Sequence, residues 1–509
     1  MIFVLTPEEM READAAAGSV VGRPSLMQQA GERIAQRMRA LVPRPARVVA
    51  FAGPGDNGGD AFAAFASLDA AYERAIYAQA APEPSEARRL AERRARAAGV
   101  AVQALPERED DASACTAGAA LAVDALFGTG SRVPLGERYR AAASALDARR
   151  ATVLAIDIPS GLDASTGAVS GVAVRATETL TLAALKPGLV LETARPFVGD
   201  LWCAGIGIDD ATLARCARTY GALDDAVFLS MLPRRALESE KREAGAPLVI
   251  AGSRQFPGAA VLCALGAARA GAGYVTVAAP ASAAPALRAH LVEQVVVELD
   301  DDATPEQMVE TIGDIAQRSG AIAIGPGLAL EDRAGIVVRE VIARTNLPVV
   351  ADASALFHLG KHLQEVRGKR IVLTPHAGEF ARLSGKGTIR EGERIARLRE
   401  FVDRTGVTTL LKGLATLVYD GTTVSINTTG TNALATAGTG DVLTGVIATF
   451  LSQGLSPYDA ACMGAYWHGL AGKLASHRRP TGVIARDVID ALADAVPSAP
   501  EPPPLRRVF

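Results

Sequence analysis

The chain has 509 residues, too many for one ordinary hydrophobic core, so two large domains are expected. Its composition, 49% hydrophobic and 21% charged, is globular, and a formal net charge of -3 provides neither a basic face for nucleic acid nor a Lys/Arg run for an anionic membrane. Five scattered cysteines (Cys115, Cys203, Cys216, Cys263, Cys462) lack any Cys-x-x-Cys, which argues against a disulfide framework and a zinc site. The first residues are not a signal peptide, and no window holds the roughly 20 apolar residues of a membrane span, so a soluble cytoplasmic protein is expected.

Thr6-Pro7-Glu8-Glu9 reads as a helix start: Thr6 caps, Pro7 takes the first helical position and Glu9 completes a capping box. A second helix is expected from Leu26 to Leu41, with Met27, Ala30, Ile34, Met38 and Leu41 on one face. Short apolar runs follow, several ending in Gly or Asp. Val48–Ala52 leads into Gly53-Pro-Gly-Asp-Asn-Gly-Gly-Asp60, Leu121–Val123 into Asp124 and Gly128-Thr-Gly130, and Val153–Ile156 into Asp157-Ile-Pro-Ser-Gly161. Alanine-rich helical stretches separate them, the pattern of a doubly wound α/β sheet.

Residues 208–245 turn charged and weakly apolar, and the domain boundary is placed near residue 225. A second α/β series then runs through Leu248–Ala251, Tyr274–Ala278, Ala321–Ile324, Leu347–Val350, Ile371–Leu373 and Thr408–Leu411, with a hairpin signal around Asp420-Gly421. The resulting division is 1–222, 223–496 and a Pro-rich tail, 497–509, expected to be disordered.

In the second half, Thr436-Ala-Gly-Thr-Gly-Asp-Val-Leu-Thr-Gly445 lets the backbone turn tightly into an apolar helix expected to start near Val442. Amides at such a start converge on one point and can hold a phosphoryl group, while Asp441 at its edge can take a proton from a hydroxyl. A glycine-rich helix entry with a capping Asp is the plainer alternative. Lys412 and Thr416, in Leu411-Lys-Gly-Leu-Ala-Thr416, can hold phosphates by charge and hydroxyl donation. Gly325-Pro-Gly327 and Thr374-Pro-His-Ala-Gly-Glu379 also close expected strands, where open α/β sheets bind ligands.

Residues of about 230–490 resemble the dehydratase domain that removes water from hydrated NADH and NADPH, a domain of the ribokinase-like fold. Pro257-Gly-Ala259, Gly271–Val275, Gly325–Leu328, Asp352-Ala353, Thr374-Pro-His376, Lys412-Gly413 and Gly440-Asp441 carry the resemblance. It implies that Lys412, Gly413, Leu414, Ala415, Thr416 and Gly440 contact ADP or ATP. Ala259, Gly327, His376 and Asp441 would contact the hydrated nucleotide, and Mg2+ would accompany the ADP or ATP. Two departures stand out: His376-Ala377 where the family usually has His-Pro, and Thr431-Asn432 where it usually has Gly-Asn. Phosphorylating the ring hydroxyl would create a good leaving group, and the ring nitrogen would expel it, with Asp441 as base.

In the first half, the 53–60 loop suits any phosphate-bearing ligand, a tight turn without ligand being the alternative. Asp124 and Asp157 each end an expected parallel strand and so face one crevice, and Asn57, Asp124 and Ser160 offer hard oxygens for a cation. Residues of about 5–215 resemble the epimerase domain that interconverts the two stereoisomers of hydrated NADH and NADPH. Leu26–Gly31, Asn57–Asp60, Asp124–Gly130 and Asp157–Gly161 carry that resemblance.

It implies a potassium site at Asn57, Asp124 and Ser160. The substrate residues it implies are Asp56, Asn57, Gly58, Gly59, Asp60, Gly128, Thr129, Gly130, Ser131, Arg132, Val133, Pro134 and Asp157, with Asp157 as the acid/base group. Asp56 stands where the family often has Asn, and Ala61 where Gly usually follows Asp60. A dehydratase accepting one epimer would strand the other, and a fused epimerase removes that dead end. A homo-oligomer is expected. The rival readings are a ribokinase-like small-molecule kinase, which would leave a stable phosphorylated product, and a nucleotide-binding regulatory protein with inactive sites.

Overall fold

A computed structural model describes residues 2–130, 133–147, 152–235, 238, 240–498 and 505–509. Contacts divide the chain into two units, residues 1–222 together with the C-terminal stretch that holds Leu505–Arg507, and the segment that begins at Leu223.

The first unit opens as its sequence dictates. Thr6 accepts from the Glu9 amide at 3.2 Å, and the Glu9 carboxylate accepts from the Thr6 amide at 2.8 Å, closing the capping box of helix Pro7–Val21. The next helix, Arg23–Leu41, starts three residues earlier than its apolar pattern, because Pro24 sits in its first turn. Met27, Ala30, Ile34 and Met38 of that helix are buried, and Leu41 is half-buried.

The sheet of this unit runs in the order Leu505–Arg507, Asp200–Ala204, Glu178–Leu182, Thr152–Ile156, Leu121–Ala125, Ala46–Ala52, Tyr72–Ala78, Ala101–Ala104. All pairs are parallel except the outermost, where Leu505–Arg507 lies antiparallel to Trp202–Ala204. That pairing corrects the expectation of a disordered 497–509 tail. Its prolines cluster before residue 505 and lie partly outside the described residues. Leu505, Arg506 and Arg507 carry ordinary amides, and Arg507 adds an ion pair to Asp200 at 2.9 Å.

Successive strands step one way from Ala46–Ala52 and then the other way from Leu121–Ala125. The loops after these two strands therefore face each other at the switch in strand order, where open α/β sheets bind ligands.

In the second unit the strand order is Val295–Leu299, Thr276–Pro280, Pro247–Ile250, Ala321–Ile324, Val349–Ala351, Ile371–Leu373, Thr408–Leu411, Leu417–Tyr419, Val424–Ile426. The first seven are parallel, and the last two form the antiparallel hairpin expected around Asp420-Gly421. Here the switch falls between Pro247–Ile250 and Ala321–Ile324, which places the Pro257–Ala259 helix start opposite Gly325-Pro326-Gly327. The helix after the glycine loop spans Thr439–Ser452, not from Val442 onward. The earlier start has a local reason: Gly438 adopts a left-handed φ of 89° and Thr439 Oγ1 donates to the Leu434 and Thr436 carbonyls, so the turn is complete before Thr439. Gly440 and Asp441 thus lie in the first turn, among amides that have no partner within the helix.

Among the described residues, no helix is long and apolar enough to cross a membrane.

Candidate active sites

In the first unit, the loops at the switch enclose a cavity of about 660 Å3. Of the residues singled out in the sequence, Asp56, Asn57, Asp60, Gly128, Thr129, Gly130 and Asp157 line it. Gly58 and Gly59 are buried in the helix start below, and Val133 and Pro134 are not among the lining residues. Ser131 and Arg132 lie outside the described residues.

Asp157 is the most constrained group of this cavity. Its backbone sits at φ 66°, a left-handed conformation that costs a side-chain-bearing residue about 1–3 kcal/mol and concentrates at functional sites. Its Oδ1 accepts from Thr181 Oγ1 at 3.1 Å, from the Leu182 amide at 3.3 Å and, at short range, from Lys186 Nζ. Its Oδ2 accepts from the Thr129 amide at 3.3 Å. Lys186 is 1% exposed and also donates to Thr181 Oγ1 and the Leu182 carbonyl, so its ammonium is fixed against the carboxylate. A Cβ on Gly128 would stand 2.8 Å from Asp157 Oδ2, so only glycine keeps that oxygen open at this point.

Two further carboxyls face the cavity. Burial, and then the negative charges of Asp157, Asp56 and Asp14, hold Asp60 well above the ordinary carboxylate range. Burial pushes Asp14 up to about 6, against the pull of Lys186. Arg88, 2% exposed, braces the 53–60 loop by donating to the Gly55 and Gln79 carbonyls.

Asp124 lies deeper, fully buried. It accepts from Ser160 Oγ at 2.6 Å, the Ser160 amide at 2.7 Å and the Leu126 amide at 3.2 Å. Burial outweighs these donors and raises it to about 6. Asn57 Nδ2 donates to the Ile156 carbonyl at 3.3 Å, while its buried Oδ1 has no partner among the described residues.

In the second unit, Lys412, Asp352, Thr444 and Asp441 meet at the start of helix Thr439–Ser452. Lys412 Nζ lies 2.7 Å from Asp352 Oδ1, and Thr444 Oγ1 donates to Asp352 Oδ2 at 2.7 Å. A Cβ on Gly440 would reach within 3.1 Å of Lys412 Nζ, so the ammonium lies directly against the helix's first turn. Burial raises Asp441 to about 7, helped by Asp352 and Glu379 and opposed by Lys412. Ala353, the residue after Asp352, holds a left-handed φ of 49°.

Glu379 ties in the histidine loop. It caps the His376 amide at 2.9 Å, while His376 Nδ1 accepts from the Gly378 and Glu379 amides. With Nδ1 accepting, the ring hydrogen sits on Nε2, and the ring is exposed. Ala377 opens that helix where a Pro would equally fit. Lys412 N donates to the Pro375 carbonyl at 2.9 Å, joining the two loops. A Cβ on Gly327 would stand 2.9 Å from Ala259 Cβ, which brings those two positions together across the switch.

Thr416 behaves differently from expectation: it is buried and its Oγ1 donates to the Gly413 carbonyl at 2.9 Å. It closes the 412–416 turn, in which Gly413 is exposed, Leu414 half-buried and Ala415 buried. His468, 6% exposed, is also within reach of the Lys412 charge. Burial first, then the Lys412 charge, push it down to about 4, so it is neutral.

Sequence reasoning missed Lys186, Asp14 and His468 and gave Asp352 no role. Asp352 carried the signal used for Asp124 and Asp157, an acid at the end of a parallel strand. Lys186 and Asp14 carried none, since their partners are distant in sequence. Among the described residues, no cluster of three or more His, Cys, Asp or Glu could hold a metal.

Comparison with known proteins extends over both units. A family described as NAD(P)H-hydrate dehydratase matches residues 247–494, and one described as YjeF-related protein N-terminus matches residues 23–188. A bifunctional NAD(P)H-hydrate repair enzyme of Pyrobaculum aerophilum is 37% identical over 497 residues, covering 96% of this chain and 97% of its own length. Counterparts in Salinibacter ruber and Escherichia coli are 35% and 32% identical, covering 96% and 95% of this chain and 95% and 92% of their own lengths. The crystal structure of an ADP/ATP-dependent NAD(P)H-hydrate dehydratase from Bacillus subtilis, with ATP and Mg2+, is 29% identical. It covers 55% of this chain and 97% of that one, with a TM-score of 0.47. The chain therefore belongs to the family of bifunctional NAD(P)H-hydrate repair enzymes, joining an epimerase to a dehydratase.

Proposed function

We propose that dehydration runs at the helix start that carries Asp441. The observation that carries this reading is the meeting of Asp441, Lys412 and Asp352 at one ring of helix N-terminal amides. Asp441 accepts the proton of the hydrated ring's hydroxyl. The freed oxygen attacks the terminal phosphorus of ADP or ATP, forming a P–O bond as the nucleotide leaves one phosphate shorter. The amides of the first turn and Lys412 hold the phosphoryl charge in transfer. The ring nitrogen's lone pair then expels phosphate, and loss of a proton from the adjacent carbon restores the dihydropyridine.

Lys412, Gly413, Leu414, Ala415, Thr416 and Gly440 form the nucleotide side of this centre. Ala259, Gly327, His376 and Asp441 form the side for the hydrated nicotinamide nucleotide. Thr416 contributes by shaping its turn. Mg2+ would come with the nucleotide and would offset the charge of its phosphates.

The cavity of the first unit is the epimerase centre. Asp157 is its acid/base residue, and Asp56 to Asp60 with Gly128 to Pro134 receive the hydrated nucleotide. Asn57, Asp124 and Ser160 would hold K+. The buried Asn57 Oδ1, without a partner among the described residues, and the Asp124 and Ser160 oxygens, which meet each other at 2.6 Å, are hard donors of the kind a weakly hydrated monovalent cation takes. The enzyme is proposed to act in the cytoplasm as a homo-oligomer, with hydrated NADH or NADPH and ADP or ATP as its partners and with no role for nucleic acid or a membrane.

The test incubates the protein with mixed hydrated NADH epimers, ADP or ATP, Mg2+ and K+. Full recovery of NADH with release of inorganic phosphate is expected. Recovery of one epimer only would remove the epimerase reading of the cavity. A stable phosphorylated product would turn the second unit into a kinase, and nucleotide binding without turnover would make it a regulator. D441N should bind nucleotide and leave the substrate intact.

A further inference from the structure

We propose that Asp14 is the general acid of the epimerase centre, working with Asp157 as base to open and reclose the hydrated nicotinamide ring. The inference rests on the reading of the cavity given above and adds a residue to it.

The carbon that epimerises carries both a hydroxyl and the ring nitrogen. Such a centre inverts without oxidant, reductant or nucleotide if the ring opens. A base takes the hydroxyl proton, the C–O bond becomes C=O, and the C–N bond breaks. Its electron pair stays on nitrogen, which takes a proton from an acid. Rotation about the neighbouring C–C bond offers the other carbonyl face. On reclosure the nitrogen pair attacks carbon, the N–H proton returns to the acid's carboxylate, and the oxygen recovers its proton from the base. Both protein groups end as they began. The reaction therefore needs two groups held in opposite protonation states in one cavity.

Asp157 suits the base. Lys186, Thr181 and the Leu182 amide hold its Oδ1, and its Oδ2 lies beside Gly128, where a side chain would block it. Asp14 suits the acid. It stands on helix Pro7–Val21, lines the same cavity, and its carboxyl accepts no hydrogen bond among the described residues. The charges acting on it most strongly are Lys186 and Asp157, the two members of the base assembly, followed by Arg23 and Asp56. Arg11 and Asp60 complete the charged lining. Burial keeps Asp14 protonated up to about 6, close to working pH; Asp60, also raised by burial, is the rival acid that the experiment separates from it.

The experiment follows interconversion of the purified R hydrate by the full chain with no nucleotide present, so that dehydration is silent. Each rate is normalised to the same preparation's dehydration of the S hydrate when nucleotide is supplied. D14N is expected to lower kcat on the order of 100-fold with KM within about twofold. It should also abolish the fall in rate above pH ~6 that deprotonation of the acid imposes. D14E should restore part of the rate with that fall displaced. Wild-type kcat in D14N, or an alkaline fall that disappears only in D60N, would overturn the proposal. If D14N melts below the assay temperature, D14E decides alone, and an undisplaced fall overturns it. D157N separates the two levels. Full activity in D157N removes the parent reading, while an inactive D157N beside an active D14N removes Asp14 only.

Discussion

Lys412 Nζ sits 2.7 Å from Asp352 Oδ1, so the cation beside the first turn of helix Thr439–Ser452 is paired within the protein itself. Asp352 is 1% exposed and also serves Thr444 and the Ala353 amide. Replacing Lys412 by Met strands a buried carboxylate. K412M is expected to cost about 3 kcal/mol, the low end for breaking a buried pair, because two other donors remain on Asp352. Denaturant unfolding of the second unit checks this, and an unchanged midpoint would mean that Asp352 does not depend on the pair.

The burial of Asp441 sets a pH dependence that this pair adjusts. As the proposed base Asp441 must be ionised, and its folded pKa is raised to about 7, first by burial and then by Asp352. The dehydration rate should therefore fall as pH drops through about 7, with the proton-bound form inactive. Lys412 is the positive charge that opposes this rise, so K412M should move that fall to higher pH. A kcat profile of the S hydrate reaction from acid to alkaline pH checks both the position and the direction.

Gly128 tests the other centre by space alone. Its φ is not in the left-handed region, so alanine fits the backbone, but the new Cβ would lie 2.8 Å from Asp157 Oδ2. G128A should reduce epimerisation on the order of 100-fold while dehydration of the S hydrate continues, since the clash falls on the carboxylate proposed as the acid/base group. Assaying the two activities of one preparation decides the point, and parallel loss of both would point to unfolding instead.

Arg37 and Glu178 show how the sheet of the first unit is tied to its helices. Arg37 Nε and a terminal nitrogen donate to the two Glu178 oxygens at 2.7 Å each, and its guanidinium lies 3.9 Å over the Trp202 ring. R37A loses this bidentate pair and the stacking and leaves Glu178 buried and unpaired. It should destabilise the first unit by about 3 kcal/mol. Thermal inactivation of epimerase should then precede that of dehydratase.

Much of this architecture was legible in the sequence because it rests on local rules. The Thr6–Glu9 capping box, the Asp420-Gly421 hairpin and the strands running into Asp124 and Asp157 each follow from residues a few positions apart. What was not legible depends on distance. Lys186 meets Asp157 only because parallel strands Thr152–Ile156 and Glu178–Leu182 are neighbours, and Asp14 reaches the cavity from a helix with no glycine loop of its own. The start of helix Thr439–Ser452 was set too late because apolar periodicity marks the buried face, whereas the turn is made by Gly438 and the Thr439 hydroxyl. The C-terminal strand was hidden by its prolines, which dominate composition without occupying the paired residues.

That last strand bears on how the enzyme is made. Ribosomes deliver Asp200–Ala204 early and Leu505–Arg507 only after the entire second unit has emerged. Until then one margin of the first sheet offers bare amides and carbonyls, the template on which nascent chains stick to each other. Cutting the gene between the units to obtain a free-standing epimerase would make that interim condition permanent, so such fragments should self-associate unless the Leu505–Arg507 segment is grafted back.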